Sequence, residues 1–337
     1  MDSLTQIVLG AAVGEAVLGK KIGSRAMLWG AIAGTIPDLD VFLRYFTDPI
    51  TATEMHRGFS HSLVFAIMMA PILGWLANRI HKKREVGFKP WTLLFFLCIV
   101  THPLLDNHTT WGTQFFWPFE YRIAFKNIFV ADPLYTLPFL TFLLIAMFHK
   151  RTNPRRSFFN KLGLIVSSSY MLLTIVLKGY AHYQFSKQLK KDKVAYLDMD
   201  SKPTPLNTIL WNAQVETETG YRVANYSLFD SKEIEFSREF PKNYHLIEPY
   251  KNQKEVKQLI KIADGWYIME EIDGELFFVD LRFGQMGMDI NNAPFLWRYK
   301  LLSDEKGKVR VERARQDFGR SSAGSVFSEF WTRIKGN

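Results

Sequence analysis

The sequence predicts an α-helical polytopic membrane domain of about six membrane segments, followed by a small, mainly β soluble domain. Three observations predict it. Long apolar runs are confined to the first part of the chain, and the cations of that part gather in alternate loops between the runs. Beyond residue 185 the pattern turns to short β-branched and aromatic stretches separated by turn signals. The expected domains are therefore 1–185, membrane-embedded, and 186–337, mainly β.

The charge balance follows this division. Residues 1–185 hold 18 Lys and Arg against 10 Asp and Glu, whereas residues 186–337 hold 24 against 23, so nearly all of the net +9 belongs to the membrane part. A basic balance arising from short loops is a topology signal, and no nucleic-acid partner is expected. The near-zero mean hydropathy averages an apolar part with a polar one. With Cys98 the only cysteine, no disulfide can form within the chain and a CxxC metal site is excluded. The N-terminus lacks a basic n-region, so no cleaved signal peptide is expected.

The first run, 4–19, is apolar and rich in small residues, with Gly10 and Gly14 spaced for close helix contact in a bilayer. The second, 25–36, ends at Pro37. Both fall short of the roughly 20 residues that span a bilayer comfortably and read as short, tilted or re-entrant. The runs 63–80, 91–105, 133–148 and 162–177 are the firmer spans. Loop cations 20–25, 79–89 and 150–161 make up 13 of the 18 in this part and occupy alternate loops. The positive-inside rule then puts the other loops, the N-terminus and the C-terminal domain on the extracytoplasmic side of the membrane. In the second part, strands are expected at 208–215, 221–228, 266–270, 276–281, 295–301 and 308–313. Asp273-Gly274 is expected as a hairpin turn, and the basic stretch 187–193 as a helical tether.

All the chemistry-bearing clusters fall in the extracytoplasmic loops. The densest is His56-Arg57-Gly58-Phe59-Ser60-His61-Ser62. On one continuous helix His56 and His61 would lie about 140° apart. A loop bearing His56, with Ser60 as N-cap and His61 in the first helical turn, aims both rings at one point. Asp38 and Asp40 follow Pro37, and in extended backbone both carboxylates would face the same way. His102 and Asp106, four apart, share a helical face, or His102 immediately precedes a helix opening at Pro103.

Three histidines and three aspartates at three segment ends suit a divalent metal. The expected ligands are Asp38, Asp40, His56, His61, His102 and Asp106, holding one or two ions. Zn2+ is the first expectation, with Mn2+ or Fe2+ also compatible. Such an ion brings the pKa of bound water to about 7. Arg57 is either a clamp for a phosphate or carboxylate or a headgroup-facing charge. Asp132 is a further ligand or general base, or a carboxylate at a helix N-terminus. Glu15, costly inside a membrane run, is catalytic or supports the site. Thr113 and Gln114 can orient ligands from behind, and the aromatic stretch 115–119 reads mainly as an interfacial belt.

At these residues the chain resembles the LexA-regulated, inner-membrane-associated metal-dependent hydrolase family (YdjM-like). The matching pieces are Met1-Asp2-Ser3-Leu4-Thr5-Gln6 with Gly14-Glu15-Ala16, then Pro37-Asp38-Leu39-Asp40, His56–Ser62, and His102-Pro103-Leu104-Leu105-Asp106 with Gly112-Thr113-Gln114. They occur in order over residues 1–180. Ser60 departs from the threonine expected there but keeps the hydroxyl. The stretches 204–211 and 280–284 resemble the tail of longer members. The resemblance implies a metal-dependent hydrolase. The substrate class expected from a site at headgroup level is a phosphoester or lipid-borne ester, and membrane lipids are the expected partners. Two other classes fit the same residues: a metal or proton transporter, and a scaffold with a structural metal.

Overall fold

A computed structural model describes residues 1–304, 307–314 and 320–337. The helices of the first part are α1 (Ser3–Ile22), α2 (Ser24–Thr35), α3 (Pro49–Met55), α4 (Leu63–Ile80), α5 (Phe88–Asp106), α6 (Pro133–Met147) and α7 (Pro154–Lys191). All six apolar runs are thus helical. Among the described residues three helices, α4, α5 and α7, are long and apolar enough to cross a membrane. A fourth span arises if α2 and the following 3-10 helix Pro37–Tyr45, bent by 44°, count as one broken span or re-entrant loop. The expectation of six therefore comes down to three or four by length and composition. At 15 residues, α6 extends about 22 Å, short of a hydrocarbon core of about 30 Å. α1 carries Glu15, Lys20 and Lys21 and buries much of its surface inside the protein.

The chain forms two compact units. The first comprises 1–47, 55–176 and 205–207; the second, 48–54, 177–204 and 208–337. The residue-185 boundary falls inside α7, which continues through most of the expected tether.

In the first unit α1 and α2 approach backbone to backbone. A Cβ on Gly10 would lie 2.3 Å from the Gly30 carbonyl oxygen, and one on Gly30 would lie 2.1 Å from that of Gly10. Only glycine allows this approach, and it places the start of α1 and the end of α2 against α5. Glu15 receives two charge-assisted hydrogen bonds from Arg156, at 2.6 and 2.7 Å, which satisfies both buried groups. Trp91, Leu94 and Phe95 of α5 lie at the centre of an apolar cluster shared with α1, α2 and α4.

The second unit has two four-stranded antiparallel sheets, ordered β1-β2-β3-β4 and β5-β6-β7-β8. The strands are β1 (Asp198–Pro203), β2 (Leu210–Glu216), β3 (Gly220–Ser227), β4 (Phe240–Pro241), β5 (Tyr267–Ile272), β6 (Glu275–Gln285), β7 (Phe295–Ser303) and β8 (Val309–Arg313). The six expected strands correspond to β2, β3 and β5 to β8. Asp273 and Gly274 both have positive φ and close the β5–β6 hairpin. β1, the two-residue β4, α8 (Lys254–Ala263) and α9 (Arg320–Ile334) are additions to the expected elements. For α8 a signal exists in the sequence: Val256, Leu259, Ile262 and Ala263 recur at helical spacing and are buried.

Candidate metal centre

Four side chains converge in the first unit: Asp38 from the 3-10 helix, His61 from the turn Phe59–His61, and His102 and Asp106 from the end of α5. Pro37 opens the 3-10 helix, and three residues per turn separate side chains two apart by about 240°. The expected extended backbone at Asp38 and Asp40 is therefore corrected. Asp38 turns to the cluster, whereas Asp40 turns to His56, Ser60 and the backbone N–H of Arg57. The expected cap is corrected too. Ser62 accepts from Phe65 N–H at the start of α4, because Ser60 lies within the 3-10 turn Phe59–His61 and α4 opens only at Leu63. His102 and Asp106 both lie within α5, whose backbone continues through Pro103, so the shared-face alternative is the observed one.

His61 Nε2 lies 3.2 Å from His102 Nε2, 3.3 Å from Asp38 Oδ1 and 3.5 Å from Asp106 Oδ2. His102 Nε2 lies 3.4 Å from Asp38 Oδ1 and 3.5 Å from Asp106 Oδ2. All four ligand atoms lie within 4.8 Å of one another, and in a regular tetrahedron with edges of about 3.4 Å, the mean of these five separations, the centre is about 2.1 Å from each corner, the length of a Zn–N or Zn–O bond. The hydrogen bonds behind the rings give the same direction. His102 Nδ1 is 2.5 Å from the Gly34 carbonyl oxygen, which can only accept, so this nitrogen carries the proton. His61 Nδ1 lies 3.0 Å from Ser60 Oγ, whose own proton goes to Asp40. Both Nε2 atoms thus present lone pairs to the same point as two carboxylate oxygens. Such a set suits a cation between its members. Asp106 Oδ2 is buried and accepts no well-aligned hydrogen bond, with the Arg57 guanidinium 3.1 Å away balancing its charge. The residues fit a divalent ion.

The electrostatics agree. Burial alone would lower the His61 imidazole, yet the hydrogen bonds and charges of Asp106, Asp38 and Asp40 raise it to about 9, so the carboxylates favour a positive charge at this point and a metal would bind by displacing the His61 proton. His61, His102 and Asp106 are inaccessible, and Asp38, at 27 % side-chain exposure, is the ligand open to the outside.

The other expected residues divide. His56 lies beside the four: its Nδ1 is 2.8 Å from Asp40 Oδ1 and its side chain is one-third exposed. Arg57, in a left-handed backbone conformation, is buried with Nε 3.1 Å from Asp106 Oδ2 and Nη1 donating to Thr109 Oγ1 at 2.9 Å. Asp132 caps α6, accepting from the Leu134 and Tyr135 N–H groups and from the Tyr170 hydroxyl. Glu15 is paired with Arg156, nine residues along α1 from Gln6, a rise of about 13 Å. Neither Asp132 nor Glu15 is among the four converging groups.

Gln6 is a residue to which sequence reasoning assigns no role. Its Nε2 donates to Asp106 Oδ1 at 2.9 Å, and the Met1 amino group bonds the same oxygen. Asp106 therefore presents Oδ2 to the cluster. The Gly34 carbonyl is equally invisible in the sequence, since a backbone acceptor leaves no mark in residue identity.

A model of the YdjM inner membrane protein family matches residues 1–185, more than half of the chain and all of the converging groups. The chain belongs to the YdjM inner membrane protein family. It is also similar to the inner membrane protein YbcI of Escherichia coli (strain K12), 29% identical over 119 residues, which are 35% of this chain and 67% of that protein. No solved structure matches. The chain is thus a membrane protein whose family match carries a site able to hold a metal ion. Residues 186–337, with both sheets, lie outside that match.

Proposed function

We propose that this protein is a multi-pass, metal-dependent hydrolase of the bacterial inner membrane. Its site and C-terminal domain are extracytoplasmic, and it acts on a phosphoester or other lipid-borne ester. The observation that carries the reading is the convergence of two imidazole nitrogens and two carboxylate oxygens, each nitrogen 3.2–3.5 Å from the other three atoms, with one ligand, Asp38, open to the outside. The donor set and spacing favour Zn2+, with Mn2+ or Fe2+ as the other candidates. A divalent ion supplies Lewis acidity and makes water a competent nucleophile near neutral pH.

The chain's own groups have distinct tasks. His61, His102 and Asp106 are held from behind and fix the site, and Asp38 is the ligand that yields room for water. Asp40 orients His61 and holds His56 at the rim, where the imidazole can carry a proton between the site and the outside. Arg57 balances the charge of Asp106 beside the site. Glu15 and Asp132 support the fold around the site through Arg156 and the start of α6.

Metal content of the detergent-purified protein, wild type beside His61→Ala, tests this. Near-stoichiometric zinc, manganese or iron that disappears in the variant is the expected result. No metal in either, even after supplementation, overturns it.

A second reading has one observation in its favour. Four protein ligands can close a tetrahedron, as structural zinc sites do. A structural ion predicts that Asp38→Ala lowers thermal stability and that no ester is hydrolysed. A transporter is less supported, because Glu15, the acidic group deep in a helix, is neutralised by Arg156.

A further inference from the structure

Two apolar segments leave the centre, and neither is covered by the described residues of the first unit. The first continues directly from the ligand Asp38: Phe42, Tyr45 and Phe46 at the end of the 3-10 helix are exposed, Phe46 by 83 %. The second is the loop bearing Phe116, Phe119 and Tyr121, with Phe119 72 % exposed. This loop is tied to the ligand-bearing turn at three points. Gln114 N–H donates to the Arg57 carbonyl at 3.0 Å, Leu63 N–H donates to that of Phe115 at 2.9 Å, and Trp117 packs edge-on against Phe59 at 4.9 Å.

Clustered exposed aromatic side chains of this kind mark a surface that meets a partner or a membrane. What covers them follows from their continuity. The 3-10 helix is the second arm of the bent pair whose two halves together qualify as one apolar span, and exposed Leu28 and Ile32 continue the surface along the first arm. Arg44 stacks over Tyr45 at 4.9 Å, the pairing of a cation and an amphipathic ring that sits at headgroup level. The covering medium is therefore lipid. The route to the metal lies on the same side. Three of the four ligands are inaccessible, and Asp38, the open one, stands at the bend between the two arms.

We propose that both segments are immersed in the bilayer and that the centre takes its substrate sideways from the membrane. The substrate is an amphiphile whose anionic ester head passes Asp38 while its hydrocarbon part stays among Phe42, Phe46 and Phe119. The immersion stands on the exposed segments alone; the substrate rests on the hydrolase reading above.

The test uses the full chain in phosphatidylethanolamine–phosphatidylglycerol vesicles, with spin labels on Phe46→Cys, Phe119→Cys and, as a water-facing control, Glu271→Cys. The native Cys98 is buried and does not compete for label. Collisions with oxygen should exceed those with a water-soluble nickel chelate at 46 and 119, and the order should reverse at 271. Chelate dominating at either 46 or 119 overturns the proposal.

A second arm compares release of phosphate from dioleoyl phosphatidate in vesicles with release from soluble p-nitrophenyl phosphate. Phe46→Ser with Phe119→Ser should slow the first about tenfold and leave the second within about twofold, because only the lipid has hydrocarbon tails for those rings to hold. An equal decrease on both, or none on either, overturns sideways entry while leaving the hydrolase in place. Release from neither probe, with immersed labels, overturns the hydrolase reading and the substrate with it.

Discussion

His61 and His102 each engage Nδ1 with the protein and turn Nε2 to a shared point, and that arrangement rests on partners that are not ligands. Gln6 is one such partner. Its amide holds Asp106 Oδ1, so that Oδ2 is the oxygen left for the metal. Gln6→Ala should weaken metal affinity about 10- to 100-fold, the usual effect of removing an outer partner, without removing the site. Titration with a competing chelator measures this, and Gln6→Glu, which keeps an acceptor but lacks the donor, should not rescue it. Unchanged affinity in Gln6→Ala would make the contact incidental. The residue types of this site are well marked in the sequence. Asp38, His61, His102 and Asp106 are all visible as His and Asp at segment ends. Which of the six candidates converge is not visible there, because the difference between Asp38 and Asp40 is whether the backbone repeats every two residues or every three.

At the scale of elements, the site depends on how closely α1 and α2 pack. Gln6 lies on α1 and the Gly34 carbonyl on α2, and both reach α5 only because glycines let the two backbones touch. Gly30→Val would place a Cβ only 2.1 Å from the Gly10 carbonyl oxygen. It should cost about 1–3 kcal/mol of stability through forced separation of the helices. Because the separation carries Gly34 off His102, it should also lower metal content, read by thermal unfolding in detergent beside elemental analysis. A variant that unfolds early yet keeps its full metal would show that helix spacing and metal geometry are independent. Gly10 and Gly14 are legible as a contact motif, but the partners Gly30 and Gly34 are not, since a small-residue run does not declare which helix it meets. The start of α4 shows the same limit. Ser60 and Ser62 are equally good caps by type, and the 3-10 turn Phe59–His61, which sets the start of α4 at Leu63, decides between them.

For the whole molecule, the alternation of basic loops predicts that the N-terminus, the metal centre and the C-terminal domain share the extracytoplasmic side. Fusion of alkaline phosphatase after residue 337 should give an active reporter, and fusion of a fluorescent protein that matures only in the cytoplasm should stay dark. The reverse pattern would invert the topology and move the centre to the inner face. Charge placement, apolar runs, the Asp273-Gly274 turn and the order of the four His and Asp motifs are properties of local sequence. By themselves they determined a helical membrane part, a β-rich part and a metal-suited residue set. Tertiary structure decided the rest: which four groups meet, which oxygen of Asp106 is left for the metal, and that Glu15 serves Arg156 instead of the centre. It did so because each outcome depends on contacts between residues far apart in the chain, and such contacts are set by packing and hydrogen bonding between elements, which no local pattern encodes.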